Sequence, residues 1–281
     1  MNLTSASSSH AHGLSVSIVV YHPDVALLAQ TLSSLSAACA RLRAALPGYP
    51  VELFLVDNGG LDDMRVVTDR LAGQGIDCRV LTGHGNVGYG RGHNLAIDQA
   101  AHRFHLILNP DIDLDEQALV AARDFFEERP AVGLLAPWIG DETGNQQYLC
   151  RRYPALLDLF VRGFLPSGLR QLFAERLARY EMRDVIDGTS VVWNPPIISG
   201  CFMLFRTDVL KRLQGFDPRY FLYFEDYDLS LRAHDVAQVA YVPSVRVTHH
   251  GGGASRKGFA HIRMFAASAF KFYNRFGWRW L

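Results

Sequence analysis

The sequence predicts an α/β protein: a Rossmann-like, mostly parallel central sheet flanked by helices, in a single globular unit. Three observations carry that expectation. Short, continuously apolar segments alternate with helix-length segments through the first part of the chain. Unbroken apolarity, rather than strict alternation, marks strands buried on both faces, as in parallel sheets. The carboxyl ends of these segments run into polar residues, where open α/β sheets bind ligands.

Taken in order, "MNLTSASSSHAHG" (1–13) is small and polar and reads as a disordered N-terminal tail rather than a signal peptide. "LSVSIVVYH" (14–22) is β-branched and short, a buried strand. Residues 24–46 carry apolar residues at helical spacing and stop before Pro47 and Gly48. "VELFLVDNGG" (51–60) is strand then turn, followed by a helix near 61–72 and a short strand at 78–82. A helix over 93–101 precedes "FHLIL" (104–108), the fourth strand, and another helix is expected at about 115–128. Periodicity is weak over 140–195, and 151–183 is rich in Arg. "IISGCFMLF" (197–205) reads as a strand and 207–215 as a short helix, with Thr207 as N-cap and Gly215 as stop. Residues 228–235 are helical, and "VAQVAYVP" and "VRVTHH" read as two strands.

Bulk properties narrow the class. The 281 residues are 49% hydrophobic and 20% charged, an ordinary globular composition. Formal net charge is zero, which gives no reason to expect nucleic acid as a partner. Cys39, Cys78, Cys150 and Cys201 are far apart and form no CxxC pair, as expected of reduced cysteines in a cytoplasmic protein. No apolar run is expected to reach the roughly 20 residues of a membrane-spanning helix.

Two stretches invite chemistry. "GHGNVG" (83–88) follows a strand and matches the dinucleotide fingerprint literally. The fingerprint belongs to the first strand–helix turn, and here that turn is "YHPDVA", without glycine. A nicotinamide or flavin oxidoreductase is therefore disfavoured. The loop still suits a phosphate. Its glycines permit close backbone approach, Arg91 offers a cationic fork, and Asn86 and Asn94 offer directed hydrogen bonds. A helix starting near His93 would turn its N-terminus towards an anion.

The second stretch is "FHLILNPDID" (104–113), where an apolar strand ends in Asp111 and Asp113. The acids fit either a helix start or a metal and phosphate site at the mouth of the sheet. Further on, "FDPRYFLYFEDYDLSLRAHD" (216–235) sets Glu225, Asp226 and Asp228 in an aromatic cluster. Asp226 falls where a helix begins, so it is either a plain cap or an ionised, partly dry general base. "VRVTHHGGGAS" (245–255) delivers His249 and His250 into a glycine-rich bend. Adjacent strand residues point to opposite faces, so at most one of the two should join a divalent site with the acids.

Taken together, "VSIVVYHP", "LFLVDNGG", "GNVGYGRGHNLAI", "LILNPDID", "ISGCFMLFRTDVLKRLQGFDPRYFLYFEDYDLSLR" and "VTHHGGGAS" resemble glycosyltransferase family 2, with its GT-A fold, and within it the rhamnosyltransferase-like branch. The pieces come in the family's order from about 14 to 255. The resemblance implies a nucleotide-binding half (14–115) and an acceptor-binding half (116–281) ending in an amphipathic segment. It also implies that Asp57 binds the nucleobase, Asn58 supports that turn, and backbone at Tyr21 and His22 touches the nucleoside. Asn86, Gly88, Arg91 and Asn94 would line the diphosphate. Asp111 and Asp113 would be the DxD motif holding ribose and a Mg²⁺ or Mn²⁺, with His249 as the further metal or phosphate contact. Asp226 would be the catalytic base. Many members of that branch carry "NPD" with the later acid weak or absent; here "DID" is intact, which favours metal dependence.

The implied function is inverting transfer of a sugar, with dTDP-L-rhamnose the leading donor, to a glycan or lipid-linked acceptor in cell-surface polysaccharide or lipopolysaccharide synthesis. A UDP- or GDP-sugar donor, and a catalytically silent sugar-nucleotide-binding subunit, are the alternatives. The tail "MFAASAFKFYNRFGWRW" mixes aromatics with basic residues. It fits peripheral contact with the cytoplasmic face of the inner membrane, or equally a C-terminal helix packed on the domain.

Overall fold

The computed structural model describes residues 11–62, 65–251 and 258–281. Residues 1–10 of the expected tail, and 252–255 of the expected glycine-rich bend, lie outside the described residues. Ala11, His12 and Gly13 are not tail; they begin the first strand, which pairs with β4 from His102 onwards.

The chain runs β1 (Ala11–Val20), α1 (Val25–Ala45), β2 (Val51–Asp57), α2 (Arg65–Gly73), β3 (Ile76–Leu81), α3 (Tyr89–Gln99), β4 (His102–Leu108), β5 (Ile112–Leu114) and α4 (Ala118–Glu128). It continues through β6 (Val132–Gly140), α5 (Leu156–Phe164), α6 (Ser167–Arg170), a 3₁₀ turn (Gln171–Phe173), α7 (Ala174–Tyr180) and β7 (Val192–Trp193). It ends with β8 (Phe202–Arg206), α8 (Thr207–Arg212), α9 (Glu225–Ala233), β9 (Gln238–His249) and α10 (Phe259–Phe276). One nine-stranded sheet has the order β3-β2-β1-β4-β8-β6-β9-β5, with β7 paired to β9. β1 is parallel to β2 and β4, and β2 to β3. β8 joins β4 antiparallel, so the sheet passes without a break between the two expected halves.

Alternation explains why the strands read as unbroken apolar runs. Leu106 of β4 faces one core with Ile18, Leu28, Leu35 and Phe126. Its neighbour Ile107 faces the other with Met203, Phe205, Phe216 and Leu229. Each such side chain contributes about 1.5–3 kcal/mol by leaving water.

α1 corrects the expectation on apolar run length. Its 21 residues are long and apolar enough to cross a membrane by composition. In the fold, Leu28, Leu32, Leu35, Cys39 and Leu42 bury one of its faces in the first of those cores. The two strands expected over 238–249 are one, because the ladder with β6 skips from Val242 to Arg246 and so bulges around Pro243.

Inside the sheet, Ser17 Oγ lies 2.8 Å from His93 Nδ1 and 2.9 Å from His105 Nε2. All three residues are fully buried. Burial pushes His93 well below the ordinary histidine range and His105 down to about 3, so both rings are neutral. This chain of hydrogen bonds ties β1 to α3 and β4 beneath the site.

Candidate active site

The polar residues collect where β1, β2 and β4 end. Asn58 N donates to Val20 O (2.9 Å) and His22 N to Gly59 O (2.8 Å), joining the first two strand ends. Asp57 Oδ1 accepts from Gly59 N at 2.8 Å, leaving the carboxylate on the rim beside exposed Tyr21 and His22. Asn58 is buried: its Nδ2 donates to Gly88 O (3.1 Å), and its Oδ1 meets His84 Nε2 (3.0 Å). Asn86 Oδ1 accepts from Gly88 N at 3.1 Å. Asn58 and Asn86 therefore shape the 84–88 loop.

The loop's glycines work differently from the expectation. α3 begins at Tyr89, four residues before His93, with Gly88 as its N-cap at φ 90°. A Cβ on Gly88 would lie 2.3 Å from Phe221 O. Tyr89 N donates to that same carbonyl at 3.0 Å, so the start of α3 is occupied by protein and its first N–H is not open to an anion. Gly90 and Gly92 let α3 press on Phe216 and Val19. Asn94, expected on the diphosphate, turns its amide to the Phe216 backbone, donating to O (2.8 Å) and accepting from N (2.9 Å). Arg91 Nε donates to Pro218 O at 2.6 Å from an exposed position. These glycines and polar groups fasten α3 to the segment that leads into α9.

The two acids of "DID" separate. Asp111 stands in the turn before β5, with Oδ2 3.5 Å from His249 Nε2. Asp113, within β5, has Oδ2 2.8 Å from His250 Nε2 and accepts from Gln30 Nε2 at 2.5 Å. β9 ends at His249, and His250 N donates to Asp111 O (2.9 Å) as the chain leaves the strand. Strand alternation no longer governs the second ring, so each histidine meets an acid, where at most one is expected to. Among the described residues, no group of three His, Cys, Asp or Glu side chains is gathered to hold a metal.

Just past the end of β4, Asn109 N donates to Cys201 O at 2.9 Å. The Tyr89 hydroxyl lies 3.0 Å from Asn109 Oδ1 and 2.7 Å from Gly200 O. Gly200 N donates to Asp226 Oδ2 at 2.9 Å, and Tyr227 N to Oδ1 at 3.0 Å. Tyr223 and Phe224 enter α9 at left-handed φ of 70° and 64°, a strained approach that presents Asp226 in its first turn. The Phe224 ring is pinned 5.1 Å from Phe265 and 5.2 Å from Phe272.

The three neighbouring acids have different environments. Asp228 is fully buried and paired with Arg232 (2.5 Å) and Arg275 (2.8 Å), a structural ion triad. Glu225 is buried with Oε2 unpartnered; burial first, then the charge of Asp226, raises it to about 8. Burial also raises Asp226, against the lowering by the Gly200 and Tyr227 N–H groups. A helix start is expected to hold an acid firmly ionised, but here desolvation wins. Asp226 has the Gly200 and Tyr227 N–H donors and Glu225 only its own backbone N–H, so the pair's shared proton belongs on Glu225.

The profile of Glycosyl transferase family 2 matches residues 15–214. The chain belongs to this family. It is 30% identical over 257 residues to N-acetylglucosaminyl-diphospho-decaprenol L-rhamnosyltransferase of Mycobacterium tuberculosis, covering 84% of this chain and 76% of that protein. It is 27% identical over 201 residues to rhamnosyltransferase WbbL of Escherichia coli K12, covering 68% and 72%. Among solved structures, GalNAc-T7 with UDP, GalNAc and Mn²⁺ superposes with TM-score 0.64 at 13% identity, covering 95% of this chain and 48% of that one. Staphylococcus aureus TarS 1-349 superposes with TM-score 0.55 at 15% identity, covering 93% and 72%. At these identities the superpositions establish the GT-A fold.

As a family 2 site, the Asp111–His249 pair fits a divalent cation on its own geometry. Asp111 Oδ1 is buried without a partner. Gln147 Oε1 accepts from His249 Nδ1 at 3.0 Å while its Nε2 donates to His249 O, which fixes the ring and turns the Nε2 lone pair towards Asp111. A Cβ on Gly251 would fall 2.4 Å from Asp111 Oδ2 and 2.5 Å from His249 Nε2, so only glycine keeps that space clear. Asp113 Oδ2 is engaged by His250 and Gln30, while its Oδ1 is also buried without a partner. Sequence reasoning missed Gln147, Tyr89 and Gly251. "NPD" and "ISG" flagged their neighbourhood, but Gln147 lies in the weakly periodic 140–195 stretch and carried no signal.

Proposed function

We propose that this chain is an inverting, metal-dependent transferase that moves L-rhamnose from dTDP-L-rhamnose to a glycan or lipid-linked acceptor in cell-surface polysaccharide synthesis, at the cytoplasmic side. The carrying observation is the Asp226 carboxylate, held by two backbone N–H groups beside the strand end that bears Asp111. The donor assignment is supported by the two relatives named as rhamnosyltransferases, one of them for a diphospho-decaprenol acceptor.

Asp226 removes the proton from the acceptor hydroxyl. The freed oxygen attacks the anomeric carbon opposite the leaving nucleoside diphosphate; one C–O bond forms as another breaks, and configuration inverts. A raised Asp226 suits this role, since a base works best with a pKa near the operating pH. A protonated Glu225 keeps a second negative charge away from the attacking oxygen. A Mg²⁺ or Mn²⁺ bound by Asp111 and His249 would neutralise the departing diphosphate. Asp57, Tyr21 and His22 form the nucleoside rim. Nothing in the site's construction marks a silent subunit.

A second reading, with a UDP- or GDP-sugar donor, is favoured by solved neighbours of the same fold, TarS with UDP-GlcNAc and Pyrobaculum calidifontis PcManGT with GDP-Man and Mn²⁺. Calorimetry with dTDP-rhamnose, UDP-glucose, UDP-galactose and GDP-mannose, each with and without Mn²⁺, separates the readings. Metal-dependent binding of dTDP-rhamnose alone is expected. Preference for a UDP- or GDP-sugar overturns the rhamnose assignment, and binding without nucleotide release in the presence of acceptor overturns catalysis.

A further inference from the structure

We propose that the outer face of α5, the turns that follow it and the C-terminal segment form one surface that docks on an anionic lipid bilayer. On α5, Asp158 and Val161 face inward, while Phe160 and Phe164 are 53% and 56% exposed. Their rings stack in solvent with centroids 5.8 Å apart. The chain then turns outward again at Leu169 and Leu172, the latter 78% exposed. Clusters of exposed large apolar side chains are unusual on a monomer and mark contact surfaces.

The C-terminal segment continues this face. Leu156 N donates to Arg279 O (2.8 Å) and Leu157 N to Trp280 O (3.3 Å), seating the tail on the start of α5. Trp280, 68% exposed, stacks on Trp278 at 5.8 Å, and Trp278 meets exposed Phe270 of α10 at 5.8 Å. α10 itself is packed: Phe272 and Tyr273 are buried against Tyr220 and Phe224. The tail is thus a folded helix and an outward aromatic rim together.

Charge selects a bilayer over an uncharged apolar partner. Residues 151–183 and 259–281 hold eleven Arg and Lys against three acids, in a chain whose total charge is zero. Residues 259–281 contain no acid at all. Arg151, Arg152, Arg162, Arg176, Arg183 and Arg275 are paired with acids, so the free charge of the face rests on the others. Arg170, Arg179, Arg263 and Arg279 have no acidic partner within salt-bridge distance among the described residues. Basic side chains around exposed Trp, Phe and Leu are the composition that lies at an anionic membrane surface. Behind the surface, Phe265 and Phe272 touch Phe224, two residues before Asp226. Docking would therefore hold the acceptor side of the site near the bilayer. The surface stands on its own geometry and does not depend on which sugar is moved.

Flotation with phosphatidylglycerol/phosphatidylethanolamine vesicles tests this on the full chain, with pure phosphatidylcholine vesicles in parallel. Binding is expected to the anionic vesicles and to fall by about tenfold or more when salt rises from roughly 0.05 to 0.5 M. Phe160→Ser/Phe164→Ser/Trp280→Ser should lower it by about tenfold or more, by removing exposed apolar groups that pack little inside the protein. Arg170→Gln/Arg179→Gln/Arg263→Gln, at three exposed positions, should lower it on anionic vesicles and flatten the salt dependence. No flotation at low salt, or flotation unchanged by both variants, overturns the proposal. So does a sedimenting dimer that the aromatic variant dissolves, since a second copy would then own the face. Donor calorimetry on the same preparation keeps the two readings apart: donor binding without flotation sinks only the docking surface, and flotation without donor binding sinks only the transferase reading.

Discussion

Replacing Glu225 by glutamine should flatten the protein's pH–stability curve between pH 5 and 8. Glu225 rises from 4.5 to about 8 on folding, because it is buried beside Asp226 with Oε2 unpartnered. Below the unfolded value the side chain is protonated in both states and costs nothing. As pH rises through that window, the unfolded chain releases the proton and the native state does not. Stability then falls by about 1.4 kcal/mol per pH unit, a total on the order of 4 kcal/mol by pH 8. The substituted amide cannot ionise and keeps an N–H donor where the protonated acid had its O–H, so that share of the slope disappears. The measurement is urea unfolding of both proteins at pH 5 and pH 8. Wild type should lose several kcal/mol across the interval and the variant much less, the remainder reflecting the smaller rise of Asp226. Parallel curves would show that Glu225 is ionised in the native state, and the placement of the shared proton would fall with it.

Asp226→Asn should cut turnover by about 10³-fold or more while donor binding persists, because only the proton acceptor is lost; near-normal transfer would move the base elsewhere. Gly251→Ala should weaken Mn²⁺ titration by about tenfold or more, since the added methyl would collide with both Asp111 and His249. An unchanged titration would remove that pair as the cation site. Ser17→Ala should cost about 1–3 kcal/mol in chemical denaturation by stranding two buried imidazoles, and a loss below about 0.5 kcal/mol would show that His93 and His105 find other partners.

Much of this architecture is legible in the sequence, for reasons that particular residues make plain. β1, β2 and β4 are buried on both faces, so "SVSIVV", "VELFLV" and "FHLIL" stand out as largely apolar runs, broken only by Ser15, Ser17, Glu52 and His105, all of them buried. Asp226 stood out because acids rarely sit among so many aromatics. What stayed hidden depended on long-range pairing. Nothing local says that Tyr89 starts a helix, because its first N–H is satisfied by Phe221, far along the chain. Of the glycines read as room for a ligand, Gly88, Gly90 and Gly92 are room for Phe221, Phe216 and Val19, while Gly83 and Gly85 face open space. The split of Asp111 from Asp113 follows from the β5–β9 register, which pairs Ile112 with His249 and cannot be seen in either segment alone. α5 to α7 were illegible because each is under three turns, too short for periodicity to emerge.

The seam between α3 and residues 216–221 bears on how the enzyme admits its donor. Tyr89, Arg91 and Asn94 each grip the backbone there, and the same backbone runs directly on to Asp226. A clamshell opening of the nucleotide side away from the catalytic side would have to tear all of these bonds together. In the proposed transferase, nucleotide would then enter past the exposed rim of Tyr21 and His22 and the turn at residues 83–85, while Asp226 and α3 move as one rigid body. The Tyr89 amide should accordingly exchange its hydrogen as slowly as the central strands, although it lies at the mouth of the site.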